Sequence, residues 1–465
     1  PRPAMTRRAK RNNAMISLHN LQPADLAPAL DRFFAMAGPK LTRLARDWNP
    51  AQGTPVFTRR GNYTSRGWTE WTQGFLYGCR LLQFDATGDT TLLESGRADT
   101  LNYMAPHLTH IGVHDHGFNN LSTYGNLRRL ALEGRTDDSA DLVRLYELAL
   151  RVSGAVQASR WTATSDGGGF IHSFNGPQSL FVDTIRSCRI LVLAHHLGHM
   201  LMGENDRPVS LLDRAVKHIR ATLNYNVYYG KGRDAYDVRG RVAHESIFNV
   251  KDGNYRCPST QQGYSPFSTW TRGLAWGLLG CAEQLEFFRD HPEFVNALEN
   301  GHAFIRELRE GAKAMGDFYI ANTPVDGVPY WDTGAPGLAC MGDYLDRPAE
   351  HDNPHEPVDS SAAAISAQGL LRLGRYLGKT GTPYLQAGLT TARTLFQPPY
   401  LSEQPGHQGL LLHSVYHRPN GWDYIPKGKA VPQGESSMWG DYHAMELAVY
   451  LNRLIRKQPY LCFYR

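Results

Sequence analysis

Helical periodicity runs through nearly the whole chain, and its character changes from one segment to the next. Residues 68–86, with Gly74 and Gly78, and 267–288, with Gly273, Gly277 and Gly280, are apolar on almost every side. Such helices must be enclosed by other helices. Residues 291–314 instead carry Glu293, Glu299, Arg306, Glu307, Arg309 and Glu310, and so keep one face in water. The spacing predicts helices over 24–48, 68–86, 90–107, 116–132, 137–155, 178–201, 206–224, 267–288, 291–314, 358–377, 381–396 and 437–455. Asp25 and Ser139 stand at or near helix starts, Pro177 and Pro266 immediately precede helices, and Gly176 and Gly301 interrupt them. Taken as consecutive pairs of alternating character, these segments point to an all-α fold. The expected architecture is an (α/α)6 barrel of six helix hairpins, enclosed helices inside and amphipathic ones outside.

Four long irregular stretches, 157–177, 225–266, 315–357 and 397–436, are rich in Gly, Pro, Asn and aromatics. Loops of that length in a compact domain usually carry function, and in a helical barrel they would gather at one mouth. No break in composition marks a second domain, so residues 23–465 are expected to form a single barrel domain. Residues 1–22, with the basic cluster Arg7, Arg8, Lys10 and Arg11, are expected to be a flexible extension.

The net charge of +5 is too small for a nucleic-acid footprint, and no apolar run of about 18 residues exists to span a membrane. The six cysteines include no C-x-x-C pair, which excludes zinc-knuckle and redox motifs. The chain begins with Pro1, so the compartment stays open: periplasmic or secreted if a signal peptide was removed, cytoplasmic otherwise. Aromatics are somewhat rich, with 9 Trp and 23 Tyr, and the C–H faces of sugar rings pack on such side chains.

Two aspartates carry the chemistry. Asp115 lies in His114-Asp115-His116-Gly117-Phe118, where an irregular stretch turns into a helix, and helix capping alone would explain it. Asp183 lies among Phe181, Val182 and Ile185, expected one to two turns inside a helix, where a carboxylate needs a partner or a proton. A raised pKa there would suit a general acid. Arg272 and Trp276 share a helix face; the arginine could grip a substrate carboxylate or pair with a structural aspartate. His114, His116 and His244 lack the spacing of a metal site, so no metal and no cofactor are expected. Asp166-Gly167-Gly168-Gly169 lacks the Lys-Ser/Thr of a phosphate loop, and no Ser/His/Asp nucleophile elbow is present.

In their joint order these motifs resemble the unsaturated glucuronyl hydrolases, glycoside hydrolase family 88. Trp71-Thr-Gln-Gly-Phe75, His114-Asp115-x-Gly-Phe118 and Phe181-Val-Asp183-Thr-Ile resemble the family's early motifs. Tyr264, Trp270-x-Arg272-Gly-x-Ala-Trp276, Asp359-Ser-Ser-Ala-Ala-Ala-Ile365 and Trp439-Gly-Asp-Tyr442 resemble the later ones. The resemblance implies an (α/α)6 hydrolase that removes a 4,5-unsaturated uronic acid from the non-reducing end of lyase-generated oligosaccharides by hydrating its vinyl-ether double bond. It implies that Asp183 protonates C4 and helps water add at C5, with Asp115 assisting. It places Trp71, Trp276, Phe174, His114, His244, Gln262 and Arg272 around the uronate, and Ser436 and Ser437 at the next sugar and its sulfate. The implied partner is an unsaturated uronyl oligosaccharide, sulfated or not, and the chain would work as a monomer or weak homo-oligomer.

The sequence departs from the family pattern at three places. Phe174 stands where the family has a tryptophan, and Arg186 follows Asp183, where it would lower that carboxyl's pKa if it pointed inward. An insertion at 225–243 carries Lys231, Arg233, Arg239 and Arg241, which would suit sulfated substrates. The alternatives are an unsaturated rhamnogalacturonyl hydrolase acting on pectin fragments, a sugar epimerase or isomerase using His244 and His114 on the same barrel, and a catalytically inactive glycan-binding protein.

Overall fold

The computed structural model describes residues 16–66 and 70–464. Its principal helices are α1 (Ala27–Asp47), α2 (Gln73–Thr87), α3 (Thr90–Tyr103), α4 (116–132, with a π turn at Leu121–Gly125), α5 (Ala140–Ser159) and α6 (184–196). They continue as α7 (211–226), α8 (Thr271–Asp290), α9 (Gly301–Ala321), α10 (Ser360–Leu377), α11 (Thr382–Leu395) and α12 (Met438–Ile455). Even-numbered helices are buried along almost their whole length, while the odd-numbered ones other than α11 keep an exposed face. The buried helices pack in sequence, α2 on α4, α4 on α6, α6 on α8, α8 on α10 and α10 on α12, and α12 returns to α2. That closure makes the (α/α)6 barrel expected from the alternating periodicity.

The barrel has two unlike ends. Every connection from an outer helix into the next inner one is long: 48–72, 104–115, 160–183, 227–270, 322–359 and 396–437. Most return connections are shorter, down to residues 88–89 between α2 and α3 and 378–381 between α10 and α11. The mouth is therefore built at the N-terminal ends of the inner helices, where unsatisfied N–H groups and the positive ends of the helix dipoles converge.

Small β elements stiffen these mouth loops. β1 (Pro55–Arg59) and β2 (Asn62–Ser65) form a hairpin, and β3 (Trp161–Ala163) pairs antiparallel with β4 (Gly169–Ile171). β5 (Ser179–Phe181), β6 (Glu245–Phe248) and β7 (Tyr255–Ser259) make a three-stranded antiparallel sheet in that spatial order. This sheet corrects the helix expected over 178–201. The backbone of Ser179–Phe181 pairs with Glu245–Ile247, so the helix starts only at Thr184 and Asp183 lies at its N-cap. A three-residue strand is too short for its alternation to be read from sequence.

Residues 16–22, expected in a flexible extension, lie on the body: Ile16 is fully buried and the Ser17 amide donates to the Val325 carbonyl at 2.8 Å. The amide of Leu21 likewise donates to Gln386. An apolar isoleucine finding a core site fixes this stretch. Arg7, Arg8, Lys10 and Arg11, with the rest of 1–15, lie outside the described residues.

Candidate active site

Asp115 and Asp183 occupy the same place on consecutive inner helices. Each is the N-cap residue, of α4 and α6 respectively, and neither side chain caps its helix. A carboxylate at an N-cap normally accepts from the second or third amide of the helix. Here both are turned into the mouth and left 8% and 7% exposed. His114 joins them, its Nε2 lying 3.7 Å from Asp115 Oδ1 and 3.4 Å from Asp183 Oδ1.

The local sequence explains the approach. A Cβ on Gly117 would come within 1.9 Å of the Ser187 carbonyl oxygen, so only glycine lets α4 lie this close to α6. Ser187 Oγ accepts from the Gly117 amide at 2.9 Å and donates to the His114 carbonyl at 2.7 Å, which clamps the His-Asp turn onto α6. Gly74 does the same for α2 and α4: a Cβ there would meet the Asn119 carbonyl oxygen at 2.2 Å. β6 then brings His244 beside Asp183, with its carbonyl accepting from the Val182 amide and its ring 4.4 Å from that of Phe181.

The electrostatics divide the two carboxyls. Burial pushes Asp115 above the usual carboxylate range, and the charge of Asp183 adds to that rise while His114 opposes it. Burial acts on Asp183 in the same sense, but His114, His244 and Arg272 together outweigh it and hold its carboxyl below the usual range. Burial alone would lower His114, yet the two aspartates raise it overall. Sequence left Asp183 in need of a partner or a proton; the structure gives it the partner, His114, and the raised pKa belongs to Asp115. His244 is lowered to about 4 by burial and is neutral. Its Nδ1 accepts from the amides of Gln261 and Gln262 at 3.0 and 3.3 Å, which puts the ring proton on Nε2. His114 Nδ1, Asp183 Oδ1 and His244 Nε2 are buried with no hydrogen-bond partner among the described residues.

A pocket opens over these groups, walled by Trp71, Phe118, Phe174, Trp270, Trp276, Tyr416 and Trp422. His114, Asp115, Asp183, Gln261, Gln262, Arg272 and His417 supply its polar lining. Phe174 lies 5.9 Å from the His114 ring and 22° from parallel with it, where the family pattern has an indole. Val113, Phe118, Gln261, Trp270, Tyr416, His417 and Trp422 were not among the residues predicted for the site. The 397–436 stretch was legible as a long aromatic loop, but nothing in its spacing singled out Tyr416, His417 and Trp422.

Other predicted residues lie elsewhere. Arg272 borders the pocket, but its donors are engaged by Asp359 at 2.7 Å, Gln262 at 3.1 Å and the carbonyls of Val415 and Tyr416. Of the two readings left open by sequence, the structure contains the pairing with a buried aspartate. His244 stands behind the wall, its ring between those of Phe181 and Trp270. Ser436 and Ser437 are fully buried and do not line the pocket. Ser437 Oγ accepts from the Gly440 amide at 3.0 Å and caps α12, which is why a serine stands there. His116 is also internal, held by Ser153 and the His110 carbonyl.

Arg186 points away from Asp183 into the barrel axis, where it pairs with Glu283 and Glu446 and meets His443 Nε2 at 2.9 Å. The basic residues of the insertion do not reach the pocket either. Arg239 pairs with Glu310 and Asp317 on α9, while Arg233 and Arg241 lie 3.8 and 3.6 Å over the Tyr228 ring. Lys231 lies over Tyr229. These neighbours satisfy the insertion from within and remove its sequence-based link to sulfate. Among the described residues, no group of three or more His, Cys, Asp or Glu is placed to hold a metal ion, and no helix is long and apolar enough to cross a membrane.

A carboxylate pair under aromatic walls, at the mouth of an (α/α)6 barrel, is the arrangement of a carbohydrate-active site. No family model matches the chain. It is 26% identical over 391 residues to an unsaturated glucuronyl hydrolase of Bacillus sp. (strain GL1), covering 83% of this chain and 87% of that protein. It is 25% identical over 434 residues to an unsaturated chondroitin disaccharide hydrolase of Streptococcus pyogenes serotype M1, covering 92% and 91%. In fold it matches the crystal structure of an unsaturated glucuronyl hydrolase specific for heparin with a TM-score of 0.70 at 22% identity, over 92% of this chain and 98% of that one. In sequence and fold the chain is similar to the unsaturated glucuronyl hydrolases.

Proposed function

We propose that this chain is a glycosidase that removes a 4,5-unsaturated uronic acid from the non-reducing end of an oligosaccharide by adding water across the C4=C5 bond. The observation that carries this reading is the Asp115–His114–Asp183 constellation, buried at two helix N-caps whose carboxylates are not used as caps. The aromatic walls supply faces for the ring, and the converging inner-helix N-termini favour an anionic uronate.

In the free protein Asp115 and His114 hold a proton more readily than their ordinary counterparts, and Asp183 less readily. A uronate carboxylate arriving beside Asp183 adds a second negative charge in a site that excludes water, and so raises the Asp183 pKa. Asp183 then takes a proton through His114 and delivers it to C4. The double-bond electrons form the new C4–H bond and leave an oxocarbenium at C5. Water adds at C5 and gives its proton back to the carboxylate, which restores the starting charge. The resulting hemiketal opens to a 5-keto sugar, and the C1–O bond to the glycan breaks.

Ultraviolet absorbance of the conjugated uronate, followed with lyase-generated disaccharides from several polysaccharides, tests this. Loss of the band with wild type and its persistence with Asp183→Asn is the expected result. A flat trace with wild type on all of them would overturn the reading.

A further inference from the structure

We infer that Arg160 is a positioning residue for the hydration: it ties the mouth loop that carries His114 to the one that carries Phe174, and so fixes the His114 ring against both aspartates. This rests on the hydration reading above. Arg160 closes α5 as its C-cap residue. A cation at a helix C-terminus commonly stays in water and answers the helix dipole. Arg160 is instead buried, 8% exposed, with its guanidinium turned onto carbonyls of two separate loops. Nε donates to the His172 carbonyl at 3.2 Å and Nη2 to that of Ser173 at 2.7 Å, while Nη1 donates to the carbonyl of Ile111. The Arg160 carbonyl also accepts from the His172 amide at 3.0 Å. One turn earlier on α5, Gln157 Nε2 donates to the His114 carbonyl at 3.1 Å.

Ile111 stands three residues before His114, and Ser173 immediately precedes Phe174. The Phe174 ring lies 5.9 Å from that of His114 and 22° from parallel with it. One guanidinium therefore sets the spacing of these two rings and, through His114, the approach of its Nε2 to Asp115 and Asp183. A rigid planar fork suits three carbonyls at fixed directions, which an ammonium on a flexible stem does not reproduce. The three acceptors are neutral, so they do not cancel the charge. It acts on Asp115 and His114, and makes each hold its proton less firmly than burial and the aspartates would otherwise dictate. Asp183, His110, His172, His218 and His244 face the same pair. Burial lowers His172 and His244 to about 4 and His218 to about 3, and the neighbouring His116 to about 4, so these four are neutral near pH 7.

The experiment measures kcat and KM against pH for Arg160→Met and Arg160→Lys, on the unsaturated disaccharide that wild type hydrates fastest, with urea midpoints alongside. Arg160→Met is expected to lose about ten- to a hundredfold in kcat, the scale of a misplaced reacting group, with KM moved less. Its alkaline limb should shift to higher pH, since loss of a positive charge lets His114 and Asp115 keep their protons longer. Arg160→Lys keeps the charge without the fork, so its kcat should fall between the other two while its limb stays where wild type has it. A clamp that only stabilises the fold would lower the urea midpoint and leave kcat and the limb of the folded enzyme at wild-type values, which would overturn the inference. If Arg160→Met does not fold, the lysine variant decides: reduced kcat at an unmoved limb supports the clamp, and wild-type kcat overturns it. Absence of hydration by wild type on every disaccharide would instead overturn the reaction on which the inference rests.

Discussion

The two sides of the mouth use the same helix position in opposite ways. On one side, Asp115 and Asp183 stand at the N-caps of α4 and α6 with their carboxylates turned away from the helix amides. On the other, Asp359 and Ser437 stand at the N-caps of α10 and α12 and do cap them: Asp359 Oδ1 accepts from Ser361 and Ala362, and Ser437 Oγ from Gly440. Asp359 also holds Arg272 and is fully buried, whereas buried atoms of His114, Asp183 and His244 have no partner among the described residues. Burial of a polar group is costly unless its bonds are made. Where they are made the group stabilises the fold; where they are not, the cost is tolerated for a ligand. Residue type and position do not separate the two cases, but hydrogen-bond partners do.

The comparison breaks most readily at Asp183. Asp183→Asn is expected to lower kcat/KM on the order of 10²–10⁴-fold, the usual worth of a positioned acid or base, and to leave the thermal midpoint unchanged or slightly higher. A variant that unfolds early while its folded fraction stays active would place Asp183 with the caps. Asp359→Ala should do the reverse. It removes a cap and leaves Arg272 buried without its carboxylate, a loss of about 3–5 kcal/mol in urea unfolding. Loss of activity with unchanged stability would refute that assignment.

His114 sharpens the comparison by pH. Its pKa is raised above 6.5 by the aspartates, so its proton is present below that value and lost only as the pH climbs through the raised one. The alkaline limb of kcat/KM should therefore lie above pH 6.5 in wild type. In His114→Gln the only exchangeable protons left in the constellation are carboxylic, and the limb should move to lower pH. A limb that stays in place would remove His114 from the proton path.

Much of the fold was legible because its signal is long-range and repetitive. Twelve helical runs with alternating burial survive errors of a few residues at each end, and Gly74 and Gly117 mark inner-helix contacts that admit no side chain. The short strands were not legible, since three residues such as Ser179–Phe181 cannot show a period. That loss shifted Asp183 from a helix interior to its N-cap. Motif order pointed to Asp115, His114 and Asp183, but whether Asp183 had a partner or a proton stayed open, because that depends on His114, His244 and Arg272 meeting in space. The same limit applied to Arg186, whose partners Glu283 and Glu446 are distant in sequence.

Ser437 provides the smallest and most discriminating test. The family resemblance placed it at the second sugar, while the structure places its hydroxyl 3.0 Å from the Gly440 amide, fully buried and away from the pocket. Truncating a helix cap costs about 1 kcal/mol and leaves a distant binding constant alone. Ser437→Ala should therefore lower the urea midpoint by that modest amount with KM unchanged for sulfated and unsulfated disaccharides. Ser437→Asp, which can cap in the same way, should restore part of the loss. A rise in KM confined to sulfated substrates, without a stability change, would show that the serine serves the glycan after all. The division between capping and catalytic N-caps would then have to be redrawn around α12.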